Sequence, residues 1–236
     1  MRLDIYLTQH NNIQSRNKAN ELIKSKKVLV DGKIVTKPSF NIEENNNIVI
    51  EQEEFFVSRA AYKLKYFLEE FPIDLKNTEA LDIGSSTGGF TQILLTSNIK
   101  NVTCVDVGTN QLHSSLINDS RIIIRENTDI RVFQPNKQYD VITCDVSFIS
   151  ILNILEDINR LSKEKIIILY KPQFEVGKNV KRDNKGVVTD NIAIKKCREE
   201  FLDRISQLNW KLIHNQQSKL SGKSGNIEEL FYFGKK

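Results

Sequence analysis

Much of what usually identifies a protein is missing from this 236-residue chain. The longest uninterrupted apolar run, Ile166 to Tyr170, is five residues, far short of the roughly 18 that a spanning helix needs. The amino terminus, "MRLDIYLTQHNN", has no apolar signal core and is not Arg/Ser-rich like a transit peptide. Cys104, Cys144 and Cys197 stand alone without C-x-x-C spacing, and His10, His113 and His214 are equally scattered. Neither disulfides nor a metal site is implied. The expectation is a soluble, reduced, cytoplasmic protein with no metal and no stable membrane association. Two nucleotide fingerprints are also absent. In "LDIGSSTGGF" (81–90) the glycines fall at Gly84, Gly88 and Gly89, which breaks G-x-G-x-x-G, and no Lys-Ser or Lys-Thr follows to make a P-loop.

What is present begins with an uneven charge. The net charge is only +4, yet residues 1–50 hold eight Lys/Arg against five acids. A basic excess on a small unit attracts phosphate backbones, although a solvated surface would carry the same charge. "RLDIYLTQ" spaces Leu3, Leu7 and Ile13 on one face, and Ser15 stands as an N-cap before "RNKANELIKSKK", with Ala19, Leu22 and Ile23 as the buried stripe. "VLVDGKIV" turns on Asp31-Gly32, a strong hairpin signal, and "NNNIVI" supplies another strand. Arg2-Leu3-Asp4, Leu7, Ser15-Arg16, Ala19, Ile23, Val28, Val30, Asp31-Gly32 and Lys37-Pro38 together resemble the S4 RNA-binding domain. The resemblance implies RNA contacts at Arg2, Arg16, Lys18, Lys24, Lys26, Lys27 and Lys37, with Arg59 added from the next domain. Where the family usually places a glycine after the second helix, this chain has Lys26 or Lys27.

Domain limits of 1–51 and 58–236 are expected, joined by a linker at 52–57. The second domain alternates strands ("EALDIG", "VTCVDV", "RIIIRE", "DVITCDV", "KIIILYK") with helical patterns, and two further strands are expected near 211–217 and 227–233. Such alternation predicts an α/β fold with a doubly wound parallel sheet, Rossmann-like, behind a small α+β domain. Ligands of such sheets bind at the carboxyl ends of the strands. Asp82, Asp106, Asp129 and Asp145 fall there together with the turn Gly84, Ser85, Ser86, Thr87, Gly88, Gly89 and Phe90, and with Val107. Asp106 is placed to accept both ribose hydroxyls of a nucleoside. Four carboxylates repel a pyrophosphate and favour a phosphate-free, cationic cofactor. S-adenosyl-L-methionine fits that description. The bland alternative is that these acids are helix caps.

The acid-x-G-x-x-x-G spacing resembles class I methyltransferases. More closely, the second domain is similar to 2′-O-ribose methyltransferases of the FtsJ/RrmJ type, whose Lys-Asp-Lys-Glu tetrad matches Lys63 ("SRAAYKL"), Asp145 ("CDVSFIS"), Lys171 ("LYKPQFE") and Glu228 ("SGNIEELFYF"). With an S4 domain in front, the whole chain resembles the TlyA family of rRNA 2′-O-methyltransferases, sometimes labelled haemolysins, in its shorter form. Departures are Ala60-Ala61 where the family favours glycines and Asp129 where it favours Asn. The resemblance implies methylation of a cytidine 2′-hydroxyl in ribosomal RNA, with large-subunit RNA as precedent. Lysine serves as a base only when desolvated or crowded by like charge. Lys171, facing Lys63 and a sulfonium, is assigned as base. Asp145 orients it, Lys63 steers the 2′-oxygen, and Glu228 holds one lysine. Each lysine alone would read as a surface residue. The segment after strand four lacks the Pro-Pro of adenine-N6 enzymes and the Pro-Cys of cytosine-C5 enzymes, and Cys144 reads as core. Phe148 and Phe174 are placed to stack on a splayed base, or to pack beneath the helices. The stretch 176–188, with Lys178, Lys181, Arg182 and Lys185 against Asp183, reads as a basic substrate loop or a solvated one. Two rival classes stay open: a non-catalytic ribosome-assembly factor, and a membrane-lytic protein as the haemolysin label suggests.

Overall fold

The structure, a computed structural model, describes residues 1–11, 13, 15–43, 45–50 and 55–235. The chain divides into two compact units, Met1–Phe55 and Phe56–Lys236. Part of the expected linker, 52–54, lies outside the described residues.

The first unit opens with helices α1 (Leu3–His10) and α2 (Arg16–Lys24), followed by strands β1 (Val28–Val30), β2 (Lys33–Ile34) and β3 (Ile48–Ile50) in the antiparallel order β2-β1-β3. Ser15 caps α2 by accepting from the Lys18 N–H. Asp31 and Gly32 both take positive φ, 51° and 74°, the backbone twist that a two-residue hairpin turn requires. Leu3, Leu7, Ala19, Ile23, Val28 and Val30 form the core, while Ile13 and Leu22 are only partly buried against it. The helical pattern running on to Lys27 stops short. The chain turns at Lys26, whose φ is 65°, and the N–H groups of Lys26 and Lys27 donate to the carbonyls of Ile23 and Leu22. That is the double-bonded helix end usually built on glycine. A lysine there costs about 1 kcal/mol in backbone strain, offset by two carbonyls satisfied beside the buried Ile23.

The second unit runs α3 (Arg59–Glu70), β4 (Glu79–Ile83), α4 (Gly89–Thr96), β5 (Asn101–Val105), α5 (Ser114–Ile117), β6 (Ile122–Arg125) and β7 (Tyr139–Cys144). A 3-10 turn (Ile151–Ile154) then leads into α6 (Leu155–Leu161), β8 (Ser162–Tyr170), α7 (Pro172–Glu175), α8 (Asn191–Gln207), β9 (Trp210–Gln217) and β10 (Glu229–Lys235). The sheet order is β6-β5-β4-β7-β8-β10-β9. β4 to β8 are mutually parallel, as the strand–helix alternation predicts. β9 and β10 instead add an antiparallel edge, because no crossover helix separates them and a direct connection can only reverse direction. Side chains alternate across the sheet. In β8, Ile166, Ile168 and Tyr170 enter the layer packed with α6 and α8, whereas Ile167 and Leu169 enter the layer packed with α3 and α4. The order reverses at the β4/β7 pair, so a crevice opens at those carboxyl ends. No helix among the described residues is long and apolar enough to cross a membrane.

Candidate active site

The glycine turn after β4 is held by its own backbone. Gly84 and Ser85 N–H groups both donate to the Val105 carbonyl, and the Gly88 N–H donates to that of Ser85 at 2.7 Å. Each glycine has a different reason to lack a side chain. At Gly84 (φ +74°) a Cβ would lie 2.8 Å from the Asp145 main-chain oxygen. At Gly88 (φ +91°) it would press on Leu116 and Leu112 at 2.5 and 2.7 Å, and at Gly89 it would meet Ser58 and the Ala61 backbone. Gly88, expected to give a cofactor room, has apolar side chains as the neighbours of its missing Cβ. It gives way to Leu112 and Leu116, and Gly89 lets α4 approach α3 at the small residues Ala60 and Ala61.

Beside this turn lies a cavity of about 330 Å³, walled by Gly84, Ser86, Asp106, Val107, Asp129 and Asp145 and by the apolar Ile83, Val105, Ile130, Val146, Ile149 and Ile154. Three of the four expected carboxylates therefore converge on it. Asp82 does not. It is fully buried beneath the turn, where its oxygens accept from the hydroxyls of Thr91 (2.7 Å) and Thr143 (2.8 Å). Burial pushes its carboxyl up to about 7, with the Asp145 charge adding to the rise. Asp106 is fixed by two backbone donors, Ser86 N–H to one oxygen at 2.8 Å and Gly108 N–H to the other at 2.7 Å. Asp129 is gripped by the Arg131 guanidinium, whose hydrogen bonds hold it below the usual carboxylate range. A smaller cavity of about 170 Å³ adjoins, lined by Ser85, Thr87, Phe90, Asp145 and Lys171 among others.

The four tetrad candidates come from separate elements: Lys63 from α3, Asp145 from the end of β7, Lys171 from the end of β8 and Glu228 from the residue before β10. They form two ion pairs. Lys63 Nζ lies 2.5 Å from Glu228 Oε2, and Lys171 Nζ lies 2.6 Å from Asp145 Oδ1. The second contact is charge-to-charge rather than a straight hydrogen bond, since Oδ1 lacks an aligned donor. Lys171 donates instead to Ser147 Oγ at 2.9 Å. The two lysines, expected to face one another, each face a carboxylate. Opposite charges at hydrogen-bond distance outweigh the like-charge pairing the sequence suggested. Gln173 was not anticipated: its amide donates to Glu228 Oε1 at 2.8 Å. Lys63, Lys171, Gln173, Phe148, Phe174, Arg182 and Glu228 share a cleft of about 730 Å³. Phe148 is 93% exposed with φ 67° and its ring lies 5.2 Å from that of Phe174. It does not pack beneath a helix. Of the basic loop, Arg182 is tied down, donating to the carbonyls of Gln173 and Gly177.

Residues 56–235 match the FtsJ-like methyltransferase family and residues 1–48 match the S4 domain. A Campylobacter jejuni protein, 23S rRNA (cytidine-2′-O)-methyltransferase TlyA, is 47% identical over 99% of each chain. The chain belongs to the TlyA family. A Mycobacterium tuberculosis member named 16S/23S rRNA (cytidine-2′-O)-methyltransferase is 36% identical over 98% of this chain and 88% of its own. A solved Streptococcus thermophilus structure, named as a haemolysin, superposes with a TM-score of 0.71 at 29% identity, covering 100% of this chain and 88% of its own.

In the N-terminal unit, Lys18, Lys24, Lys26 and Lys37 are exposed, Lys27 is half-buried, and Lys18 pairs with Glu21. Arg2 and Arg16 are bound to Asp4. In the second unit, exposed Arg59 donates to the Ser221 carbonyl.

Proposed function

We propose that this chain transfers a methyl group from S-adenosylmethionine to the 2′-hydroxyl of a cytidine in ribosomal RNA, as the names of its relatives state for them, with large-subunit RNA as substrate. The observation that carries the reading is the placement of the Lys171–Asp145 pair. Asp145 walls the 330 Å³ cavity, Lys171 walls the large cleft, and both wall the small cavity between them. An acid serving one compartment and a lysine serving the other fit a reaction between two ligands that meet there. The donor set also fits the cofactor. Asp106 offers oriented acceptors for ribose hydroxyls, Asp145 a charge for a cation, and Ile130, Ile149 and Ile154 apolar walls for a base. Bound there, S-adenosylmethionine would supply an electrophilic methyl group for the ribose 2′-oxygen, with a neutral thioether as the leaving group.

The chain's own residues then handle the proton. Lys171 takes it from the 2′-oxygen, and Ser147 and Asp145 hold the lysine in line. Lys63, fixed by Glu228, sits in the same cleft to stabilise charge developing on oxygen. The exposed faces of Phe148 and Phe174 offer a platform for an unstacked base. The N-terminal basic surface supplies affinity for the RNA. This chemistry belongs in the cytoplasm, where rRNA and subunits are made.

Lys171→Ala should slow single-turnover methyl transfer at least about 100-fold, and Lys171→Arg nearly as much, because a guanidinium keeps its proton. S-adenosylmethionine affinity by calorimetry should stay near wild type. An active Lys171→Arg enzyme would remove the base role.

A further inference from the structure

Asp4 is the one fully buried charged side chain of the N-terminal unit among the described residues, 1% exposed between the core residues Leu3 and Leu7. Its backbone is fixed, since the Asp4 N–H donates to the Pro38 carbonyl and the Leu3 N–H to that of Phe40. Its carboxylate serves two arginines at once. Oδ1 accepts from Arg2 Nε at 3.0 Å, while Oδ2 accepts from Arg2 Nη2 at 3.0 Å and from Arg16 Nε at 2.8 Å. Both arginine side chains remain about half exposed, at 44% and 54%. A guanidinium carries five N–H donors in a rigid fork. Arg2 therefore keeps Nη1 unspent, and Arg16 keeps both Nη groups, with no protein partner among the described residues.

The hydrogen bonds from Arg2 and Arg16 hold the Asp4 carboxyl below the usual carboxylate range, so the cluster stabilises the fold near neutral pH, yet that leaves the outward guanidinium edges without a role. Burying a carboxylate costs several kcal/mol in desolvation, and an apolar residue in the same place is often as stable or more so. Arg2 and Arg16 also open α1 and α2, at helix ends whose partial positive charge opposes a cation and favours an anion. A buried acid that gathers two cations there is useful if their outward edges have work to do.

We propose that Asp4 is a positioning residue for RNA binding: it locks Arg2 and Arg16 into one two-pronged guanidinium surface whose free edges take neighbouring backbone phosphates. The inference rests on the RNA-binding part of the function proposed above. Planar, pre-aligned guanidinium edges match phosphate oxygens two at a time, and a fixed fork loses little rotamer entropy on binding.

The test turns on sign. Asp4→Asn removes a negative charge, so simple charge counting expects tighter RNA binding and a salt slope no smaller than before. Positioning expects the opposite: binding to purified large-subunit rRNA at about 100 mM salt at least about fivefold weaker. The slope of log K against log salt should shrink by up to about 1.4 to 1.8, from two contacts at roughly 0.7 to 0.9 each. Thermal melting and amide exchange of the full-length variant establish that the N-terminal unit stays folded. If Asp4→Asn does not fold, Arg16→Lys preserves the charge but not the fork, and should weaken binding with melting unchanged. Wild-type protein that fails to bind rRNA would overturn the RNA reading itself. Wild-type binding matched or exceeded by folded Asp4→Asn, or undiminished in Arg16→Lys, would overturn the positioning role of Asp4 alone.

Discussion

Replacing Lys63 with methionine keeps most of the unbranched apolar stem, one heavy atom shorter, and removes its charge. Glu228, 2% exposed, would be left with the Gln173 amide as its one remaining side-chain partner among the described residues. A side chain at Gly222 would already lie 2.5 Å from Glu228 Oε1, so the carboxylate sits in a close seat. Stranding one member of a buried ion pair costs roughly 3 to 5 kcal/mol. For a unit of this size, each kcal/mol lowers the melting temperature by about 2 to 4 °C. Lys63→Met should therefore melt roughly 6 to 20 °C below wild type. Pairing it with Glu228→Gln removes the stranded charge while keeping the Gln173 contact, and should restore most of that loss. Methyl transfer should not return with it, because the cleft would still lack the cation at Lys63. Calorimetric melts and single-turnover rates on the two variants read the two effects separately. A Lys63→Met melt within about 2 °C of wild type would refute the buried pair, and an active double variant would refute the need for its charge.

Gly84→Val should lower S-adenosylmethionine affinity at least about 10-fold by calorimetry. Its Cβ meets the Asp145 backbone in a positive-φ position, whereas Gly88→Ala should cost mainly stability, through Leu112 and Leu116. Asp82 gives a pH signature. Its carboxyl is raised to about 7 from an ordinary 3.8, so the folded state holds its proton more tightly than the unfolded chain. Its contribution is therefore present at low pH and is lost as pH rises through about 7. The ceiling is roughly 4 kcal/mol. Asp82→Asn should flatten the stability profile between about pH 4 and 7, and an unchanged profile in denaturant melts would show that Asp82 titrates normally.

The parallel part of the sheet was legible because β-rich runs alternate with helical periodicities, and the four tetrad candidates could be picked out because each lies in a distinctive segment. Other features depend on contacts between distant segments. The antiparallel edge follows from a missing crossover between Gln217 and Glu229. Lys26 at positive φ breaks a residue preference that local sequence reading relies on, and tertiary packing of Ile23 overrides it. The acids at strand ends look alike in sequence. Which of them faces the cavity depends on side-chain direction, and Asp82 points to Thr91 and Thr143 while Asp106 lines the cavity. The lysine pairings likewise needed the fold, since Lys63 and Glu228 are 165 residues apart.

The most direct test is methyl transfer itself. Purified protein would be incubated with methyl-labelled S-adenosylmethionine and unmodified ribosomal RNA or subunits, and the RNA digested to nucleosides for mass analysis. The expected result is label in 2′-O-methylcytidine from large-subunit RNA with wild-type protein and none with Lys171→Ala. Label on a base, or no transfer to any rRNA by protein that binds the cofactor, would contradict ribose methylation by this site.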